Sequence, residues 1–297
     1  MCGIVGLFLK DKALAPQLGA LLTDMLVTMS DRGPDSAGIA VYGEGRAGEV
    51  KVTVQSSDSG ALDGLGAALG EAIGADVGAR IVDTHCVLTL PADKLDAARD
   101  WLRVNRPDVR VMSAGETVEI FKEVGLPGDV ARRFDLPHMS GTHGIGHTRM
   151  ATESAVTTMG AHPFSTGADQ CLVHNGSLSN HNSLRRRLAG QGVQVASEND
   201  SEVAAAYLTS RMQQGRSLGE ALEDGLDDLD GFFTFVVGTR DGFGVLRDPI
   251  ACKPAVMAET DQYVAFGSEY RALVGLPGID AARVWEPEPA TVYFWKH

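Results

Sequence analysis

Apolar positions follow two rhythms along this chain. From 3 to 10 they run almost unbroken, as in a strand buried on both faces, and from 15 to 29 Leu18, Leu21, Leu22, Met25, Leu26 and Met29 recur at helical spacing. The pattern predicts a strand followed by an amphipathic helix. Gly33-Pro34 breaks the period inside Ser30-Asp31-Arg32-Gly33-Pro34-Asp35-Ser36, a charged turn. A second buried strand is predicted at 38–42 and a third at 50–54. From 57 to 136 the character changes. Leu62, Leu65, Ala68, Leu69 and Ile73 mark a helix, 80–90 a strand or tight strand pair, 93–104 a helix, and 109–112 and 118–121 short strands. That order predicts a small α/β segment of βαβ type, bounded at 57–136 and inserted into a larger domain spanning 2–297. Packing or partner docking is its expected role.

Glycine and histidine then gather around short apolar runs, in Gly141-Thr142-His143-Gly144-Ile145-Gly146-His147-Thr148-Arg149-Met150-Ala151-Thr152, Gly160-Ala161-His162-Pro163-Phe164 and Cys171-Leu172-Val173-His174-Asn175-Gly176-Ser177. Helices are predicted at 182–191 and from the cap-like Glu198-Asn199-Asp200-Ser201-Glu202 to about 212. Short strands at 231–238, 243–247, 254–258 and 263–268, separated by turns, read as antiparallel sheet.

The 39 acidic against 26 basic residues give a formal charge of −13, with no basic stripe, which argues against nucleic acid or an anionic membrane as main partner. Cys2, Cys86, Cys171 and Cys252 lie far apart without C-x-x-C spacing, so reduced thiols and a cytoplasmic setting are expected. No apolar run reaches the length of a membrane span, and the first residues lack the regions of a signal peptide.

Four features carry chemistry. If Met1 is removed, Cys2 holds both a nucleophilic thiol and an α-amino group able to act as its base; otherwise it is strand filler. Asn175-Gly176 offers a side-chain NH₂ and a backbone N–H to one spot, as an oxyanion hole would, and also reads as a hairpin turn. Arg149, amid small and apolar residues, suits a bidentate clamp on a carboxylate or a half-buried ion pair. Asp200 can cap its helix or receive an ammonium group.

Together these segments resemble the class II glutamine amidotransferases, a branch of the N-terminal-nucleophile hydrolases. The resemblance runs in order through Cys2-Gly3-Ile4-Val5-Gly6, Arg32-Gly33-Pro34-Asp35-Ser36, Gly146 to Thr152, His162-Pro163-Phe164, His174-Asn175-Gly176 and Asn199-Asp200-Ser201-Glu202, with Arg247-Asp248-Pro249 and Gly267-Ser268-Glu269 resembling the last sheet strands. It implies an α+β fold, the four-layer α/β/β/α sandwich. It also implies that Cys2 is the nucleophile, Asn175 and Gly176 the oxyanion hole, Arg149 and Asp200 the holders of the glutamine α-carboxylate and α-amino group, and Thr152 and Arg32 pocket wall. Glutamine would form a thioester on Cys2 and release ammonia.

Met150 and Thr152-Glu153-Ser154 depart from the aromatic residue and Thr-His-Gly that many relatives carry, so the cover over the glutamine is expected to differ. With the sequence ending at His297, the nitrogen acceptor is expected on another polypeptide. The run Gly146 to Ser154 with the insertion looks like the amidotransferase subunit of N-methylglutamate synthase and other glutamate-synthase-like complexes. That likeness implies a partner chain carrying FMN and an iron–sulfur cluster, and no cofactor or metal in this chain. Other readings are a non-catalytic amino-acid-binding regulatory subunit of the same fold, an amidotransferase for another acceptor, and a metal hydrolase built on His138, His143, His147, His162 and His174.

Overall fold

The computed structural model describes residues 2–151 and 155–297, with the backbone alone at Ser59. The first apolar run is β1 (Gly3–Leu9), buried throughout, and α1 (Leu18–Thr28) follows. Next come β2 (Ser36–Tyr42), β3 (Glu49–Gln55), α2 (Leu65–Ile73), β4 (Gly78–Val82), β5 (His85–Pro91), α3 (Leu95–Asn105), β6 (Arg110–Gly115), β7 (Val118–Val124) and α4 (Pro127–Arg133). The glycine- and histidine-rich stretch supplies β8 (His143–Arg149), β9 (Phe164–Gly167) and β10 (Gln170–Leu178). Then α5 (His181–Gly190), α6 (Asp200–Gln213) and α7 (Leu218–Asp228) precede β11 (Gly231–Thr239), β12 (Gly242–Arg247), β13 (Val256–Glu259), β14 (Tyr263–Gly267), β15 (Arg283–Trp285) and β16 (Val292–Lys296).

Among the described residues the strands form three sheets. A seven-stranded sheet runs β15-β13-β14-β1-β8-β2-β7, and a five-stranded sheet runs β16-β12-β11-β10-β9. β1, β2 and β8 are buried on both faces throughout, and β10 and β11 over most of their length, so successive residues feed two different cores. Val5, Leu7 and Leu9 of β1 join α1 and α4 in one core, whereas Ile4 and Phe8 meet Val173, Val236 and Phe243 of the other sheet in a second. Phe233, Phe235 and Val237 of β11 turn outward to α5, α6 and α7 in a third. The layers are therefore helix, sheet, sheet, helix, the expected four-layer α+β sandwich.

The third sheet runs β4-β5-β3-β6, all antiparallel, with α2 and α3 on one face. Its order of elements is βαββαβ and its strand order is 4-1-3-2, the split βαβ arrangement. This lobe comprises 49–115 rather than 57–136. Alternation along 49–55 shows a strand but not its partner, and β3 is the centre of the lobe's sheet. At the other end β7 pairs with β2, and α4 packs on α1, so both belong to the sandwich.

The lobe sits on the outer face of β7, an edge strand. Glu119 of β7 accepts ion pairs from Lys51 and Arg80 of the lobe, and His85 packs edge-on to Phe134 at 4.8 Å. On its other side, the carboxylate of Asp169 between β9 and β10 accepts the N–H groups of Glu116, Thr117 and Val118, pinning the β6–β7 connection to the five-stranded sheet. Among the described residues no helix is long and apolar enough to cross a membrane.

Candidate active site

Strand parity turns the inter-sheet layer polar at one end. Residues two apart share a face, so the face that carries Tyr42 and Ala40 of β2 continues to Gly38 and Ser36. The same rule takes β7 from Val118 and Ile120 to Lys122, β8 from Ile145 to His147 and Arg149, β10 from Cys171 and Val173 to Asn175, and β11 from Val236 to Thr234. Ser36, Lys122, His147, Arg149, Asn175 and Thr234 are all buried, and Cys2, half-buried at the head of β1, lies at this same end.

Two donors converge on the backbone of Cys2. Arg32 Nε donates to the Cys2 carbonyl at 3.0 Å and Asn175 Nδ2 donates to it at 3.2 Å. Arg32 is held in turn by Glu269, whose Oε1 lies 2.6 Å from Nη1, and the guanidinium, with Arg271 beside it, keeps the Glu269 carboxyl below the usual carboxylate range. Ser268 fixes Ile4, two residues further along the chain: its Oγ accepts from Ile4 N–H and its own N–H donates to the Ile4 carbonyl, both at 2.9 Å. Gly33 permits the approach of the 30–36 turn, since a Cβ there would lie 2.4 Å from the backbone of Thr148.

Asn175 and Gly176 do not form a hairpin turn. Both are inside β10, paired with Thr234 and Phe233 of β11. Gly176 has φ +150°, and a Cβ on it would meet the Phe232 carbonyl oxygen at 1.9 Å, so only glycine fits this part of the ladder. Arg149 ends β8. Gly3 pairs with Thr148, and continuing that register sets Arg149 across from Cys2. Its Nη1 donates to the Ala155 carbonyl at 3.3 Å. Asp200 does not cap α6, because Asn199 Oδ1 accepts the Ser201 N–H at 2.9 Å. The Asp200 carboxylate instead accepts the Leu178 N–H of β10 at 2.9 Å, two residues beyond Gly176. The structure thus brings Cys2, Arg32 and Asn175 into direct contact, sets Arg149 beside them by register, and ties Asp200 to the strand that carries Asn175-Gly176. Thr152, expected in the pocket wall, lies outside the described residues, as do Met1, Glu153 and Ser154.

The histidines serve other ends. His138 pairs with Asp135 on the surface, and His143 stacks on Tyr42 at the far end of the sandwich. His147 and His162 lie ring to ring at 4.0 Å, and His147 Nε2 donates to the His174 carbonyl. Burial pushes His147 down to about 3 and His174 to about 4, the latter opposed by Asp200, so both are neutral at physiological pH. Among the described residues no group of three or more His, Cys, Asp or Glu side chains is placed to hold a metal ion.

Residues that sequence reasoning passed over also shape this end. Asp35 Oδ2 accepts the Ala151 N–H at 2.7 Å, and Lys122 Nζ donates to the carbonyls of Ala161 and Pro163 at 2.8 and 3.1 Å. Burial lowers Lys122 to about 7. A lysine following Val118 and Ile120 at the inward parity of β7 was the available signal.

The model of the glutamine amidotransferase domain matches residues 147–275. The glutamine amidotransferase-like protein GlxB of Rhizobium meliloti is 66% identical over 100% of this chain and 99% of its own length. A relative in Methanothermobacter thermautotrophicus is 35% identical over 98% of each chain. Among solved structures, the glutamine phosphoribosylpyrophosphate amidotransferase of B. subtilis superimposes with a TM-score of 0.63 at 19% identity, over 99% of this chain and 47% of that one, a likeness of fold. This chain spans about half the length of that enzyme. The sequence relatives and the four-layer sandwich together place the chain in the glutamine amidotransferase family, with the N-terminal-nucleophile hydrolase fold.

Proposed function

We propose that this chain hydrolyses the side-chain amide of glutamine through a thioester on Cys2. The observation that carries the reading is the convergence of Arg32 and Asn175, from separate elements, on the Cys2 carbonyl. A filler cysteine needs no such fixing. With Met1 removed, the free α-amino group takes the thiol proton, directly or through a water, and the thiolate attacks the amide carbon. One hydrogen of the Asn175 NH₂ is used on Cys2, which leaves the second, with the Gly176 N–H, for the developing oxyanion. The C–N bond breaks, the leaving nitrogen takes the proton back from the Cys2 ammonium, and ammonia departs. Water then attacks the thioester, releasing glutamate and restoring the thiol.

Arg149 holds the substrate α-carboxylate, and Asp200 its α-ammonium group. Arg32 keeps the nucleophile's backbone in place and forms pocket wall with Thr152. In this reading the nitrogen passes to a separate glutamate-synthase-like subunit carrying FMN and an iron–sulfur cluster, as in N-methylglutamate synthase. The run Gly146 to Ser154 supports that assignment.

The test is ammonia release from glutamine by the purified protein, alone and with co-purifying subunits, combined with labelling by a glutamine-analogue diazoketone. Expected are turnover, a single adduct mapped to Cys2, and an intact mass lacking Met1. A retained Met1, or an adduct at Cys252 in place of Cys2, would overturn it. Flavin absorbance in the co-purified complex, absent from this chain alone, is the expected mark of the partner.

A further inference from the structure

The segment 155–163 leads from the Arg149 end of β8 toward β9, and it is gripped from both faces of the edge strand β7. Consecutive residues of a strand point to opposite faces. Lys122 reaches through the inter-sheet layer to the carbonyls of Ala161 and Pro163 and lies 4.4 Å from the centroid of Phe164. Glu123 points the other way, where its Oε1 accepts the hydroxyl of Thr158. The same segment touches the proposed carboxylate clamp, since Ala155 accepts from Arg149 Nη1, and it passes close enough at Gly160 that a Cβ there would stand 3.4 Å from that nitrogen.

Glu123 has a second attachment. Its Oε2 accepts the hydroxyl of Thr84 at 3.1 Å and lies 3.8 Å from Arg133 Nη1. Thr84 belongs to the tight turn between β4 and β5, where Asp83 adopts φ +54° and pairs with Arg133 at 2.7 Å. One buried carboxylate therefore joins the lobe's hairpin tip to the segment against Arg149.

We infer that Glu123 is a positioning residue for glutamine binding, through which the β4–β5 hairpin of the 49–115 lobe sets the segment 155–163 against Arg149. The inference rests on the glutamine-hydrolysis reading for its kinetic readout. It acts on the site that receives the α-carboxylate, remote from the scissile amide, so it bears on KM and leaves the chemical step alone.

The experiment compares Glu123→Gln, Thr158→Val, Thr84→Val and the Thr84→Val/Thr158→Val pair in the full chain with its co-purifying subunits. Two measurements are made: glutaminase kinetics, giving kcat and KM, and amide hydrogen exchange of 155–163. Expected are a roughly tenfold rise in KM for Glu123→Gln and Thr158→Val, about threefold for Thr84→Val, and kcat within twofold throughout. The double variant should match Thr158→Val alone, since the hairpin acts only through the shared carboxylate. Exchange in 155–163 should quicken in all four. Additive effects of Thr84→Val and Thr158→Val, or unchanged KM and exchange in Glu123→Gln, would overturn the inference. A parent without glutaminase activity would refute the hydrolysis reading, while the exchange data would still decide whether Glu123 holds the segment.

Discussion

Replacing Asn175 by alanine separates chemistry from scaffolding. The side chain is buried, and its amide nitrogen makes one hydrogen bond, to the Cys2 carbonyl at 3.2 Å. Truncation leaves that carbonyl still bonded to Arg32 Nε at 3.0 Å, so no backbone acceptor is orphaned. The structural loss is then one ordinary hydrogen bond, about 1 kcal/mol, or a fall of a few degrees in Tm for a chain of this size. If Asn175 also donates to the oxyanion, the transition state loses about 2.7–4 kcal/mol more, and kcat falls about 10²–10³-fold. The two contributions differ enough to be told apart. Glutaminase assays on Asn175→Ala, with thermal unfolding and alkylation of Cys2 on the same preparation, should show a crippled kcat, a near-parental Tm and a Cys2 that is still alkylated. A kcat within about fivefold of the parent matches the loss of 1 kcal/mol alone and would refute the oxyanion assignment.

Arg149→Lys keeps the charge but loses the planar fork, so the glutamine KM should rise about 10–100-fold with kcat largely kept; an unchanged KM refutes the clamp. Gly38→Ala should destabilise the fold by about 1–3 kcal/mol or more, because its Cβ would stand 2.0 Å from the His162 carbonyl oxygen and 2.5 Å from Lys122 Cβ, read as a lower urea midpoint. Stability should fall as pH drops from about 6.5 toward 4. Burial holds His147 at about 3 and His174 at about 4 against an ordinary 6.5, so in that window the unfolded chain binds protons that the folded chain does not. Each contributes a slope of about 1.4 kcal/mol per pH unit; a urea midpoint equal at pH 7.5 and 5.0 would contradict the buried, neutral imidazoles.

The sandwich was legible where one segment's pattern decides its own fate. The runs behind β1, α1 and α6 announce themselves by period and length, and α7 could have been read too, since Ser217 and Glu220 form a capping box ahead of Leu218, Ala221 and Leu222. What stayed hidden depends on partners far away in the chain. Asn-Gly is the strongest short-range hairpin signal, yet pairing with Thr234 and Phe233 keeps Asn175 and Gly176 in a ladder. The lobe's bounds went astray at β3 and β7 for the same reason.

The candidate site sharpens this point. Cys2 and Asn175 are 173 residues apart, and nothing local relates them; only the ordered series of family-like segments did. Parity supplies the missing physical link. Apart from His143 on β8, the strands of the inter-sheet layer keep their apolar residues at one end and their polar ones at the other, so Ser36, Lys122, His147, Arg149, Asn175 and Thr234 fall together once the registers are fixed. A scattered lysine or histidine, read alone, is one buried polar group seeking a partner. Several of them at the same relative position along adjoining strands mark a candidate site, and what Lys122 and Glu123 hold became readable only when β7 proved to be the edge that the lobe and the segment 155–163 share.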